Sequence, residues 1–294
     1  MKRFTTLAIF IALVTITFAQ THMYVWENGA KTNYIISEVD SITFGDEETP
    51  KKIIGVFSVS EDKQVVFSKG NLQYCPKTSE WRFAEKQFDY LGELNWWMTN
   101  PNYSGWIDLF GWGTGINPTE TLYGNTLFYD WGINPIGNDT ANTWRTLSED
   151  ECEYILWRRT NANNLYGIAQ VNGVNGLILL PDNWKCPDDI TFKSGFDRSH
   201  SSLKQYYAEY QSIDINQWSI LEFAGAVFLP AAGERYGSGN EITSIQNVGC
   251  YWNNTRISDD RASLIYFTSK EDRSLASSKY SGYSVRLVKD VVTE

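Results

Sequence analysis

The sequence predicts an α+β domain of short strands, two or so helices and long loops, preceded by a small β-hairpin element. Three observations predict it. From Ile53 onward, apolar and polar residues alternate only in short runs. One stretch alone carries a complete helix-start signature. Between them lie segments rich in Gly, Asn, Pro and Trp that follow neither the helical nor the strand period.

Residues 1–19 open on Met1-Lys2-Arg3, continue through the apolar run Leu7 to Phe18, and end on Thr17-Phe18-Ala19. A basic start, a short apolar stretch and a small-residue exit predict a cleaved signal peptide, hence a secreted, periplasmic or cell-surface protein. No cysteine follows the cleavage point to accept a lipid, and no later run approaches the roughly 20 apolar residues of a membrane helix. Residues 20–49 contain two alternating runs around Glu27-Asn28-Gly29, a hairpin signal, followed by the polar linker Gly45–Lys52 with Pro50.

The main domain is expected over 53–290. "GVFSVS" and "KQVVFSKGNLQY" predict a hairpin around Ser60-Glu61-Asp62-Lys63, whereas "EWRFAEKQFDYLG" fits a strand or a short helix. Residues 95–142 show no period; such a stretch is either functional or packed by its own aromatics. In "TLSEDECEYILWRRTN", Ser148 is the N-cap and Glu151 completes a capping box, with Glu149 and Asp150 in the first turn. Cys152, Ile155, Leu156 and Arg159 then share one face. "GLILLPDNW" predicts a buried strand ended by Pro181, and Leu203–Tyr210 a polar helix. "GAVFLPAAGERYGSG", "GCYWNNT", "ASLIYFTS" and "GYSVRLV" predict the remaining strands.

The formal charge is -10, and the leader's Lys2 and Arg3 make the mature chain more acidic still. Nucleic acid and anionic membrane surfaces are therefore not expected partners. Cys75, Cys152, Cys186 and Cys250 form no C-x-x-C pair. Three disulfide connectivities stay open, as does a free thiol at the core-facing Cys152. Aromatics make up 15% of the chain, with 12 Trp and 17 Tyr. They serve either a ligand surface or a core that large flat side chains must fill.

"GLILLPDNW", "GAVFLPAAGERYG", "GCYWNNT", "LIYF" and "GYSVRLV", in this order and spacing, resemble exported Bacteroidetes-type proteins of the Fibrobacter succinogenes major paralogous domain group. "FSKGNLQY", "GWIDLFGWGT" and "WRTLSEDE" extend the likeness over about Gly55 to Lys289, and "YIISEVDSITF" is similar to a leader element of such proteins. The group is similar to the C-type-lectin-like fold of the formylglycine-generating enzymes. The resemblance implies a binding surface on loops above the final strands.

It also implies what chemistry is missing. The formylglycine-generating relatives use two closely spaced cysteines, whereas Cys250 stands alone with Cys186 far upstream. Iron-dependent relatives use a histidine cluster, and this chain has only His22, at the mature N-terminus, and His200, so a Ser-His-Asp triad would have to use His200 alone. Asp108, Asp130 and Glu234 have no spacing that nominates a glycosidase pair. Calcium-binding lectins of this fold use Trp-Asn-Asp with Glu-Pro-Asn or Gln-Pro-Asp; Trp252-Asn253-Asn254 is one carboxylate short, and Asn117-Pro118 and Asn134-Pro135 lack the acid.

The expected function is an exported, non-catalytic ligand-binding or adhesion protein without cofactor or metal, taking a glycan or protein ligand at the cell surface. Alternatives are an enzyme derived from the same fold, a carboxylate-based glycoside hydrolase, or a variable target of a diversity-generating retroelement. In the last case the window 253–280 would vary. The expected ligand contacts are Trp252, Asn253, Asn254, Arg256, Asp259, Asp260 and Arg261, followed by Lys270, Asp272 and Arg273. Glu234 and Arg235 are second-tier candidates. Arg286, in the closing "SGYSVRLV", is expected as internal glue needing a carboxylate or several carbonyls as partners.

Overall fold

The computed structural model describes residues 22–27, 29–35, 53–120, 127–188, 190–195, 210–236 and 240–291. The expected signal peptide, the linker, His200 and all but Tyr210 of the helix expected at Leu203–Tyr210 lie outside them. The chain divides into two compact units, residues 1–51 and 52–294. In the first, β1 (His22–Glu27) and β2 (Ala30–Ile35) pair antiparallel with Glu27 opposite Ala30, as the expected hairpin requires.

The second unit is α+β, with strands of two to eight residues. The strands β3 (Phe57–Ser58), β4 (Gln64–Phe67), β5 (Leu72–Cys75) and β6 (Glu80–Phe83) come first. β7 (Tyr166–Val171), β8 (Val174–Leu179), β9 (Gln211–Ile213) and β10 (Val227–Pro230) form the largest sheet, in the order β10-β8-β7-β9. After β11 (Glu234–Arg235) and β12 (Ile242–Thr243), the strands β13 (Gly249–Arg256), β14 (Arg261–Phe267) and β15 (Asp272–Ser278) build an antiparallel sheet. β16 (Val288–Asp290) joins β4 and β3.

Alternation explains how these small sheets make one core. In β13, Tyr251 enters a cluster with Phe57, Leu177 and Leu229, while Cys250 and Trp252 enter another with Trp81, Trp112 and Trp131. In β8 and β10, Leu177, Leu179, Val227 and Leu229 face the first cluster, and Ile178 and Phe228 face a third with Trp218. Each of these two sheets is thus an internal partition with apolar residues on both faces, which uses up much of the aromatic content.

The helix α1 (Glu149–Glu153) starts at Ser148 with both capping-box bonds in place, Glu151 N to Ser148 Oγ and Ser148 N to Glu151 Oε2. Glu151 also pairs with Arg145 at 2.7 Å. Tyr154–Arg158 continues it as a π-helical turn. A second helix, α2 (Ile215–Phe223), starts on another capping box, Asp214 with Gln217, which the sequence reading passed over. Among the described residues no helix is long and apolar enough to cross a membrane. The segment "EWRF" resolves as the strand β6.

The closing segment departs from expectation. The ladder begins only at Val288, because Gly282, Tyr283 and Ser284 bridge in turn to Arg235, Phe110 and Tyr251. A segment that changes partner at every residue keeps no constant register. It is nonetheless buried throughout, and Tyr283, Val285 and Leu287 share one cluster while Val288 faces another.

Within the aperiodic region, Gly92–Thr99 forms a 3-10 helix. Three residues per turn put Gly92, Asn95 and Met98 on one face, and these are its buried residues. Asn95 donates to Asp108 Oδ1 (2.8 Å) and accepts from the Asp108 and Leu109 backbone N–H groups (2.8 and 3.0 Å), while Asp108 Oδ2 accepts from Leu91 N (2.9 Å). Burial raises the Asp108 carboxyl to about 6, against the opposing pull of the Asn95 and Leu91 bonds. The native acid thus holds its proton where the unfolded acid has lost it, so stability falls as pH rises from about 4 to about 6. Asp108→Asn should remove that slope, read as the change in urea midpoint between pH 4 and pH 6.5; an equal slope in the variant would refute the assignment.

Candidate functional site

An open groove of about 600 Å³ runs across the described residues. It brings together stretches far apart in sequence: Ile53–Gly55, Ser68 and Lys69 after β4, Arg82 to Gln87, the turn Ile136–Asp139 with Trp144, and Glu222 to Val227. One side depends on two glycines. A Cβ on Gly55 would lie 2.1 Å from the Gly225 carbonyl oxygen, and Gly225 ends α2 at φ +96. Ile53 N then bonds to Phe223 O at 2.9 Å. The opposite side is Trp144, whose Nε1 donates to Asp139 Oδ2 (2.9 Å) and whose ring meets Phe83 edge-on at 5.1 Å. Gly137 N bonds to Trp81 O and docks the turn on β6.

The groove's charges divide into used and unused. Asp139 serves Trp144, and Glu222 accepts from Gln87 Nε2 at 3.1 Å. Arg82 donates through Nε to the buried Gln73 (2.8 Å) and stacks on Trp106 at 3.9 Å. Neither Arg82 nor Lys69 makes an ion pair among the described residues. A guanidinium held by its Nε and by an aromatic face still has both Nη groups available, in the geometry suited to a carboxylate.

Gln87 connects this floor to the interior. Its Oε1 accepts from Phe228 N (2.8 Å) and from Arg286 Nη2 (2.6 Å). Arg286 Nη1 reaches Asn71 Oδ1 at 3.4 Å; Asn71 Nδ2 donates to Tyr251 Oη, which donates to Pro230 O. Arg286 is buried, and its acceptors are two neutral side-chain amides rather than the carboxylate the sequence reading named first. Burial accordingly pulls its guanidinium down to about 10.

The residues nominated from sequence are dispersed. Trp252 and Asn253 are buried in β13: Trp252 Nε1 donates to Phe110 O (2.7 Å), and Asn253 Nδ2 to Ser263 Oγ (3.0 Å). Asn254 is half-buried, with its main-chain N–H bonded to Leu147 O, and buried Asp272 accepts from Trp157 Nε1 at 2.7 Å. These side chains hold the sheet. Arg256, Asp259, Asp260 and Arg261 form the exposed β13–β14 turn, where Arg256 pairs with Asp259 and Lys279 Nζ donates to Asp259 O (2.9 Å). Lys270 and Arg273 lie at the β14–β15 turn, at the other end of a seven-residue strand and so about 20 Å away. The window 253–280 therefore presents two separate turns rather than one patch.

Arg235 is fully buried, with Nη2 donating to Tyr280 O (2.9 Å) and its side chain against Gly282, where a Cβ would lie 2.7 Å from Arg235 Nε. Beside it, burial holds the Glu234 carboxyl above its usual range and pushes the Cys250 thiol up. A buried thiol so raised is a poor nucleophile. All four cysteines are free, and no group of three or more His, Cys, Asp or Glu among the described residues is arranged to hold a metal. Sequence reasoning missed the groove; the aromatic and basic residues of "EWRF" and "NTWRT" were its available signal.

No family model, curated protein or solved structure matches this chain.

Proposed function

We propose that this chain is an exported, non-catalytic ligand-binding protein on a C-type-lectin-like scaffold, and that its ligand occupies the groove between Trp144 and Arg82. The observation that carries this reading is a concavity in which Asp139 and Glu222 are engaged internally, Glu85 is an exposed acid, and both cations, Arg82 and Lys69, have no ion-pair partner among the described residues. Such a site favours a ligand with one flat apolar face for Trp144 and one carboxylate for Arg82. An acidic glycan at a cell surface has both. The overall acidity of the chain disfavours polyanions, so selectivity rests on one local contact rather than on a basic surface.

Arg82→Gln and Trp144→Ala should each weaken binding of a uronate-containing oligosaccharide at least tenfold. The unfolding midpoint of Arg82→Gln should change little, and that of Trp144→Ala should fall with its lost contact to Phe83 while the variant stays folded under the titration conditions. Calorimetric titration against a panel of acidic oligosaccharides reads this directly. Binding untouched by both substitutions would remove the groove from the function. Turnover of the bound oligosaccharide would instead move the protein to the hydrolases that the groove's carboxylates permit.

A further inference from the structure

The 3-10 helix Gly92–Thr99 is held on one face and bare on the others. Its anchor is a buried amide–carboxylate network, Asn95 with Asp108, backed by Met98. Its outward residues are Leu94, Trp96 and Trp97, with the two indoles 53% and 48% exposed. Trp97 also stacks on Tyr103, rings 6.2 Å apart and 23° from parallel, so the platform extends beyond the helix. Neighbouring large aromatics so exposed on a rigid segment mark an interaction surface; a frayed loop would have let them fold inward.

The surroundings decide what the platform fits. Its rim is amide and hydroxyl: Asn100 Oδ1 accepts from Asn102 N (2.9 Å), and Asn240 Nδ2 donates to Thr99 Oγ1 (3.3 Å). Charge on the helix is acidic only, from Glu93, and Glu241 lies exposed beside Asn240 in sequence. Glu93 and Glu241 lie at this face, unlike Arg82 and Lys69 in the groove, and they disfavour anionic headgroups and acidic sugars here. A bilayer or an apolar protein face would cover these amides without pairing them. A neutral polysaccharide meets both demands, with C–H faces for the indoles and hydroxyls for the rim. We propose that Trp96, Trp97 and Tyr103 form a docking platform for a neutral glycan chain, separate from the groove and independent of what the groove binds.

Affinity electrophoresis of the full chain through hydroxyethylcellulose, galactomannan and xyloglucan tests this. Retention by at least one polymer is expected, reduced at least tenfold in Trp96→Ala/Trp97→Ala and substantially kept in Trp96→Phe/Trp97→Phe. The urea midpoint of each variant checks that the half-exposed positions leave the fold intact. No retention by any of the three polymers, or equal retention in the alanine variant, overturns the proposal. So does binding to phosphatidylcholine vesicles, lost in the alanine variant, in place of polymer binding. Failure of the uronate titration bears on the groove alone.

Discussion

Replacing Arg159 with methionine should destabilise the fold by about 3–5 kcal/mol, the range for breaking a buried, hydrogen-bonded ion pair. Arg159 is 4% exposed and each nitrogen of its guanidinium is engaged: Nη1 to Asp182 Oδ1 (3.0 Å), Nε to Ile155 O (2.7 Å), and Nη2 to Leu165 O (3.1 Å) and Leu180 O (2.9 Å). Asp182 in turn accepts from Ser58 N and Oγ (2.8 and 2.7 Å) and from Gln64 Nε2 (3.2 Å). One side chain therefore ties the π-helical turn after α1 to β8 and to the β3–β4 hairpin. Methionine fills much of the space but takes the Arg159 donors from Ile155 O and Leu180 O and from Asp182, while Leu165 O keeps its bond from Leu180 N. Urea unfolding measures the loss; a change below about 1 kcal/mol would show that the carbonyls find other donors.

Arg286→Leu should cost about 2–4 kcal/mol, from a lost charge-assisted bond to Gln87 and the void left by a shorter side chain. Two facts keep the figure below that for Arg159. No carboxylate pairs with Arg286 among the described residues, and Gln87 Oε1 keeps its bond from Phe228 N. Removing a desolvated charge also returns part of the loss. Because Gln87 lies on the groove floor, ligand titration of the variant is the second readout. Weaker binding at unchanged stability would make Arg286 a positioning residue of the groove rather than internal glue.

How much of this was legible depends on how local each signal is. The α1 cap is written in four consecutive residues, Ser148 to Glu151, and needs no tertiary context. The capping box of α2, Asp214 with Gln217, is just as local; it was passed over because no sustained apolar stripe follows it. The buried residues Gly92, Asn95 and Met98, which leave Trp96 and Trp97 facing outward, follow a period of three that templates for α-helix and strand do not sample. The groove was out of reach for a different reason. Gly55, Arg82, Trp144 and Gly225 meet only after the chain has folded, and no spacing among them encodes that. Trp252 and Asn253 were nominated by motif, yet alternation in a sheet buried on both faces assigns both of them inward.

The polar composition of "DRSLASS" has a further meaning once its place in the fold is known. β15 is the outer member of the β13–β14–β15 sheet, so its seven residues carry a row of backbone groups with no ladder on the far side. An apolar strand there would be a template for the same strand of another molecule. Arg273 is exposed along it, and Ser274 donates through Oγ to Glu153 Oε1 (3.1 Å), while most of the other sheet edges are only two to four residues long. In the folded molecule this polar stretch is a sheet margin whose side chains give the same strand of another copy little apolar surface to pair with.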